Sequence, residues 1–322
     1  MIELRRHLSR YIWQFCTAML IVIALAACNS NTSDESNSAL TENCRVVRHA
    51  MGETCVPFNP QRIVALDPVM LEATIALDIK PVGSPIEFAP PFTSTESIDD
   101  LGDPNAINIE RLLALKPDLI LGINDSPPPY SQLSQIAPTV LLDFQHSGEW
   151  KELFTLAGDV LGKSEEVERV MADYYQRAKE FQQKVNASDI EVSIVRIYPT
   201  QVALYTKVGF PGTILEDAGL SRPPSQDLNL EETRALNFST IQYLVSREVL
   251  DKADGDVIFV SVGNWDDKIQ EVLASLKTDP LWAKLNAVEQ GTVYEVGDYW
   301  IGSGAIAANA VLDDLEKYLI GR

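Results

Sequence analysis

Ile107-Asn108-Ile109-Glu110-Arg111-Leu112-Leu113-Ala114-Leu115-Lys116-Pro117-Asp118-Leu119-Ile120 is the stretch on which the fold turns. It reads as a helix over 109–115 followed at once by a strand over 118–122. The same alternation extends on both sides. Before it come a compact apolar run at 63–66 that ends on Asp67-Pro68, a helix over 70–77 and a short strand at 81–83. After it come a helix over 131–136 and a strand over 139–142. Strands that are continuously apolar and separated by helices argue for a buried, parallel sheet with helices on its faces.

The alternation pauses at one long amphipathic helix and then resumes. Gly162 ends the helix before it, Ser164 is placed to cap it, and Glu165, Glu166 and Glu168 suit its first turn. Val167, Val170, Met171, Tyr174, Ala178, Phe181 and Val185 recur at helical spacing. Running to about residue 187, it would span ~36 Å. Beyond it, strands are expected at 192–197, 202–206, 257–261 and 293–296. Helices are expected at 211–218, 240–250, 269–275 and 305–319. The expected fold class is therefore α/β, with two lobes on either side of one rigid helix. No tandem short repeat is present.

The chain has 322 residues and a formal charge of −20. Phosphate recognition needs clustered Lys and Arg, so nucleic acid is excluded as a partner. Arg5, Arg6 and Arg10 precede an apolar run over 15–27 that is too short for a comfortable transmembrane span. Residues 1–27 therefore read as a signal peptide. Leu25-Ala26-Ala27-Cys28 resembles a bacterial lipobox, which would put a lipid on Cys28. Residues 28–43, rich in Ser, Asn and Thr, read as a flexible tether. Cys44 and Cys55 then stand close together in an oxidising compartment and read as a disulfide closing a hairpin. Metal binding by the pair is the alternative, with only His49 nearby.

At this point the sequence resembles the class III periplasmic binding proteins that serve iron-siderophore, haem and cobalamin importers. The stretch 107–120 is similar to the family's N-lobe pattern. So are Pro60-Gln61-Arg62-Ile63-Val64, Pro81-Val82-Gly83 and the run from Phe210 through Leu220. Pro280-Leu281-Trp282, Gly291-Thr292-Val293-Tyr294 and Tyr299-Trp300 complete the set. The resemblance implies two Rossmann-like lobes, 44–162 and 189–322, joined by a single backbone helix over 163–188. The ligand cleft then lies between the lobes at the carboxyl ends of the strands. It also implies partners: a ferric siderophore, favouring the hydroxamate or citrate type, and an ABC importer permease. The protein would work as a periplasmic, lipid-anchored monomer, with no cofactor, no resident metal and no catalysis.

The family docks on its permease through one Glu on each lobe, and Glu110 and Glu216 occupy the matching positions. A plain solvated helix face is the alternative for both. Ligand residues are expected just past the strand ends. In the N-lobe the candidates are Asp67, Phe88, Asn124, Tyr130 and Phe144. In the C-lobe they are Arg196, Tyr198, Lys207, Phe210, Trp265, Tyr299 and Trp300. Arg and Lys suit carboxylate or hydroxamate oxygens, and aromatic faces suit apolar arms. Trp265 and Trp300 are expected to face the ligand. Phe210 and Tyr198 could instead be core, and Arg196 could belong to a buried ion pair. Bases here are scattered rather than clustered, which favours a chelate of low net charge. Two other readings stay open. One is a haem or cobalamin carrier of the same family. The other is a secreted enzyme, against which stands the lack of a Gly-x-Ser-x-Gly elbow or a phosphate loop.

Overall fold

The computed structural model describes residues 44–320, apart from 88, 90–93, 125, 127, 186–189, 238 and 264–265. Phe88, Trp265, Cys28 and residues 1–27 therefore lie outside the described residues. The chain divides into a leading unit, residues 1–46, and a main unit, residues 47–322. Strands β1 (Cys44–His49) and β2 (Gly52–Pro57) form a two-stranded sheet. Cys44 and Cys55 are both disulfide-bonded.

The N-lobe is built on β3 (Ile63–Ala65), α1 (Pro68–Ala76), β4 (Gly83–Ser84), β5 (Asp99–Asp100), α2 (Ile109–Ala114), β6 (Leu119–Ile123) and β7 (Thr139–Leu142). Its sheet has the order β5-β4-β3-β6-β7 and is parallel throughout the described residues. The decisive stretch folds as read, for local reasons. Asn108 caps α2 by accepting the Arg111 amide at 3.0 Å. Lys116 then takes a left-handed φ of 47°, which turns the chain from helix to strand. The Asp118 carboxylate fixes the strand's entry by accepting the amides of Gln61 and Arg62 at 2.7 and 2.8 Å.

Helices α3 (Trp150–Leu161) and α4 (Ser164–Lys184) carry the chain across. Gly162, at φ 68°, makes the left-handed turn that ends α3. Ser164 is not the cap of α4: Lys163 takes that position, and the Ser164 hydroxyl donates back to Asp159 at 2.7 Å. With 21 residues, α4 is ~32 Å long. It stops at Lys184 because Val185 is already extended.

The C-lobe holds β8 (Val192–Ile197), β9 (Val202–Tyr205), α5 (Phe210–Asp217), α6 (Leu230–Asn237), β10 (Gln242–Val245), β11 (Val257–Val262), α7 (Asp267–Lys277), β12 (Val293–Val296) and α8 (Ala305–Leu315). The sheet order is β10-β9-β8-β11-β12. β8, β11 and β12 are parallel, while β9 runs antiparallel to both of its neighbours. The helix expected over 240–250 is therefore a strand and a short 3-10 turn. Tyr243 and Val245 are buried and Leu244 is exposed, a period of two that suits a sheet edge.

Trp150 locks the lobes together. It is fully buried, its indole Nε1 donates to Thr213 of α5 at 3.0 Å, and its ring meets Tyr174 and Phe210 edge-on. Beside it, Asp217 accepts from Lys151 at 2.5 Å and from the Tyr174 hydroxyl at 2.6 Å. Trp150→Ala should cost about 3–5 kcal/mol, read as a fall in the midpoint of chemical unfolding. Losing an exposed aromatic instead would leave that midpoint in place.

Candidate functional site

The carboxyl ends of β3, β6 and β7 form one wall. Asn124 and Phe144 come together there: Asn124 Nδ2 donates to Asp143 at 3.0 Å, and the Phe144 amide donates to Asn124 Oδ1 at 3.3 Å. Asp67 stands at the same edge but is committed elsewhere. It accepts from the amides of Met70 and Ile123 at 2.9 and 3.0 Å and from the Ser126 hydroxyl at 2.8 Å. Burial raises its pKa against those bonds. It therefore caps α1 and clasps the loop after β6, and is not a ligand group.

The opposite wall is built by β8. Val192 and Ile194 face the core shared by both lobes, while Val195 and Ile197 face a separate C-lobe core. Strand alternation thus sends Arg196 out along the first row, past its last apolar residue. Its Nη1 donates to the Tyr205 hydroxyl at 2.9 Å, and its Cζ stands 4.5 Å from the Tyr198 ring centroid. Tyr198 is fixed in turn by the Gln242 side-chain amide, which donates to its hydroxyl at 2.7 Å. Burial pushes the Tyr205 hydroxyl up to about 12, with the Arg196 guanidinium opposing. Asp298, just past β12, has its pKa raised by desolvation and is pulled back by Arg196. Among the described residues Arg196 makes no ion pair within 4.0 Å, so its outer N–H groups are available to an anion.

Four expected residues do not belong to these walls. Trp300 is fully buried: it stacks on Phe259 at 4.3 Å and donates to Asp314 at 2.9 Å. Its indole N–H found a partner in α8, so the ring is core. Phe210 is fully buried against Trp150 at the junction of the lobes. Lys207 follows β9, whose antiparallel course carries the chain away from Tyr198, and it pairs with Asp227 at 2.9 Å. Tyr130 points back toward the hairpin, with its hydroxyl 3.2 Å from Thr54, which donates to the carbonyl of Thr139 at the amino end of β7. Tyr299 stays half-buried after β12, with its hydroxyl donating to Asp314 at 2.6 Å. Burial first, then Asp314, raise its pKa. Glu110 and Glu216 are both exposed, on α2 and α5.

Sequence reading missed Tyr205, Gln242 and Asp298. The alternation in β8 and β9 was the available signal for Tyr205. Gln242 was lost with the misread helix.

Two α/β lobes on one helix, with a polar, partly aromatic floor at their strand ends, have the layout of a two-lobed ligand-binding protein. The periplasmic binding protein family matches residues 63–299, and the chain belongs to it. It is 33% identical to the probable siderophore-binding lipoprotein YfiY of Bacillus subtilis, over 97% of this chain and 99% of that one. It is 26% identical to the Fe(3+)-citrate-binding protein YfmC of the same organism, over 92% and 93%. Among solved structures it is similar to Staphylococcus aureus SirA complexed with staphyloferrin B. That likeness has a TM-score of 0.72 and 27% identity, over 85% of this chain and 98% of that one.

Trp300→Ala should lower the melting temperature and cost about 3–5 kcal/mol, with any loss of ligand affinity smaller than that loss of stability. A large loss of affinity in a variant of unchanged stability would return Trp300 to the cleft.

Proposed function

We propose that this chain captures a ferric siderophore outside the cytoplasm and passes it, still chelated, to an ABC-type permease. The similarity to a siderophore-binding lipoprotein along nearly the whole chain carries this reading. Iron here is cargo, held by the chelator. The protein binds and releases and does not turn its ligand over, as its family membership supports.

The floor around Arg196 supports the class of ligand. A guanidinium offers paired N–H groups that match carboxylate or hydroxamate oxygens. The Tyr198 ring below it holds that fork in place. Among the described residues this floor carries one cation, Arg196, drawn on by Asp298, which suits a hydroxamate or citrate-type chelate of low net charge. Asn124 and Phe144 would meet the other side of such a ligand, with Tyr299 at the rim. Native mass spectrometry of protein purified from iron-starved cells should find a ferric chelate of this kind. Haem, a corrinoid or a tris-catecholate in its place would overturn the assignment. Arg196→Gln should weaken capture of ferric citrate or a ferric hydroxamate by about tenfold or more, the loss of one charge-assisted contact. Quenching of intrinsic tryptophan fluorescence reads it.

Glu110 and Glu216 are proposed to dock on arginines of the permease. Charges held far apart on a stiff body orient an encounter and raise its rate. Changing both to Lys should leave chelate affinity unchanged and abolish uptake into cells. Equal loss of both would put these residues in the fold or the cleft.

Cys28 is proposed to carry the lipid. Cys28→Ala should release the protein from the membrane fraction, and retention of that variant on membranes would refute the anchor.

A further inference from the structure

Helix α8 lacks a cap of its own. It is preceded by Gly304, extended at φ −153° and ψ 175°, and no side chain at that position takes up its first amides. The acceptor comes from the other lobe. Glu72, on α1, lies 235 positions away, and its Oε1 accepts the Ala307 amide at 2.7 Å. The Ile306 amide bonds to the same carboxyl. Glu72 is 2% exposed. Gly304 lies directly over it: a Cβ there would stand 2.6 and 2.7 Å from the two carboxyl oxygens, nearer than real Cβ atoms come. The N-lobe thus supplies the cap, and the C-lobe supplies a glycine that lets it seat.

Among the described residues no other charge bears on the site. Helix α1 packs on β3, β6, α3 and α8. β3 and β6 carry no titratable side chain. On α3, Lys151 is paired with Asp217, Asp159 receives the Ser164 hydroxyl, and Glu152 completes the set. On α8, Asp313 pairs with Arg177, and Asp314 receives Tyr299 and Trp300, both at the far end of the helix. Asp67, which caps α1, is occupied by Met70, Ile123 and Ser126. None of these acts on Glu72. Burial raises its pKa and the two amides oppose the rise; burial wins, and the value stands at about 7 instead of 4.5.

We infer that Glu72 is a positioning residue for capture: it clamps the N-lobe onto the start of α8 and so fixes residues 298–304, which bring Asp298 and Tyr299 to the rim of the cleft. The clamp belongs to the lobes alone, and only its effect on affinity rests on the siderophore reading. The sign of its pH dependence follows from linkage. A seated carboxyl holds its proton more firmly than one in water. Seating is therefore at full strength below the ordinary carboxylate range and weakens as pH rises through about 7. Across that window the seating equilibrium changes by roughly 10²-fold.

Hydrogen exchange of the Ile306 and Ala307 amides in the full chain tests this. Protection factors corrected for intrinsic rate are followed from about pH 5 to about pH 9, beside the affinity for ferric citrate and for a ferric hydroxamate. In the parent, protection at these amides should fall by about tenfold or more as pH rises through 7. Glu72→Gln, which keeps an acceptor oxygen, should stay protected with no pH dependence. Glu72→Ala should lose protection at every pH and weaken chelate affinity by about tenfold, and Gly304→Ala should do the same by blocking the seat. A pH dependence that survives in Glu72→Gln would overturn the assignment of the titrating group. Unchanged protection and affinity in Glu72→Ala would overturn the clamp. Amides that respond as expected in a protein that binds neither chelate would uphold the clamp and refute the choice of ligand.

Discussion

Leu119 and Leu121 of the N-lobe sheet, Phe181 of α4 and Val192, Ile194 and Phe259 of the C-lobe sheet belong to one unbroken body of packed side chains. Met70 and Leu71 of α1 and Val311 and Leu315 of α8 lie in it too. The lobes are therefore separate as sheets but not as cores. Moving one against the other would expose apolar surface, at ~25 cal/mol for each Å² uncovered. This is why the linking helix works as a spine and not as a hinge strand. Large closure is costly, so the cleft must stand nearly formed before a ligand arrives. Such a site loses less ordering entropy on binding than one assembled by the ligand.

The charge layout follows the same division. The surface is strongly acidic, while the basic groups that matter are placed singly. Arg222 is buried and donates to the carbonyls of Val192 and Tyr205 and to Gln226. Burial holds its pKa down at about 9. It pins β8 and β9 through the backbone of Tyr205, whose hydroxyl meets Arg196 at the other end of the side chain. One tyrosine thus spans from a buried structural cation to an available one, and the position of Arg196 is set from inside the lobe.

What could be read from the sequence was local. The stretch 107–120 carries its own cap and its own turn into a strand, and Gly162 announces the end of α3. Residues 240–250 misled because a run of mixed apolar and polar residues at a sheet edge alternates over only four positions. Ser164 was a sound cap by type, but the Asp159 side chain competed for its hydroxyl. The site was harder, since its membership depends on contacts between distant segments. Trp300 sits beside small and polar residues, as a cleft residue would, yet Asp314 satisfies its indole and Phe259 covers its face. Tyr130 is drawn away by a threonine 76 positions earlier. Strand parity alone puts Arg196 on the row of Val192 and Ile194, so its placement could be read from the sequence.

The lobes also touch where two backbones cross. Gly148 passes so close to the carbonyl of Val208 that there is no room for a Cβ. The Phe210 amide reaches Ser147 at 3.3 Å in the same place. A single methyl group at residue 148 would force one of the two backbones to shift, so the crossing is a fixed point between the lobes.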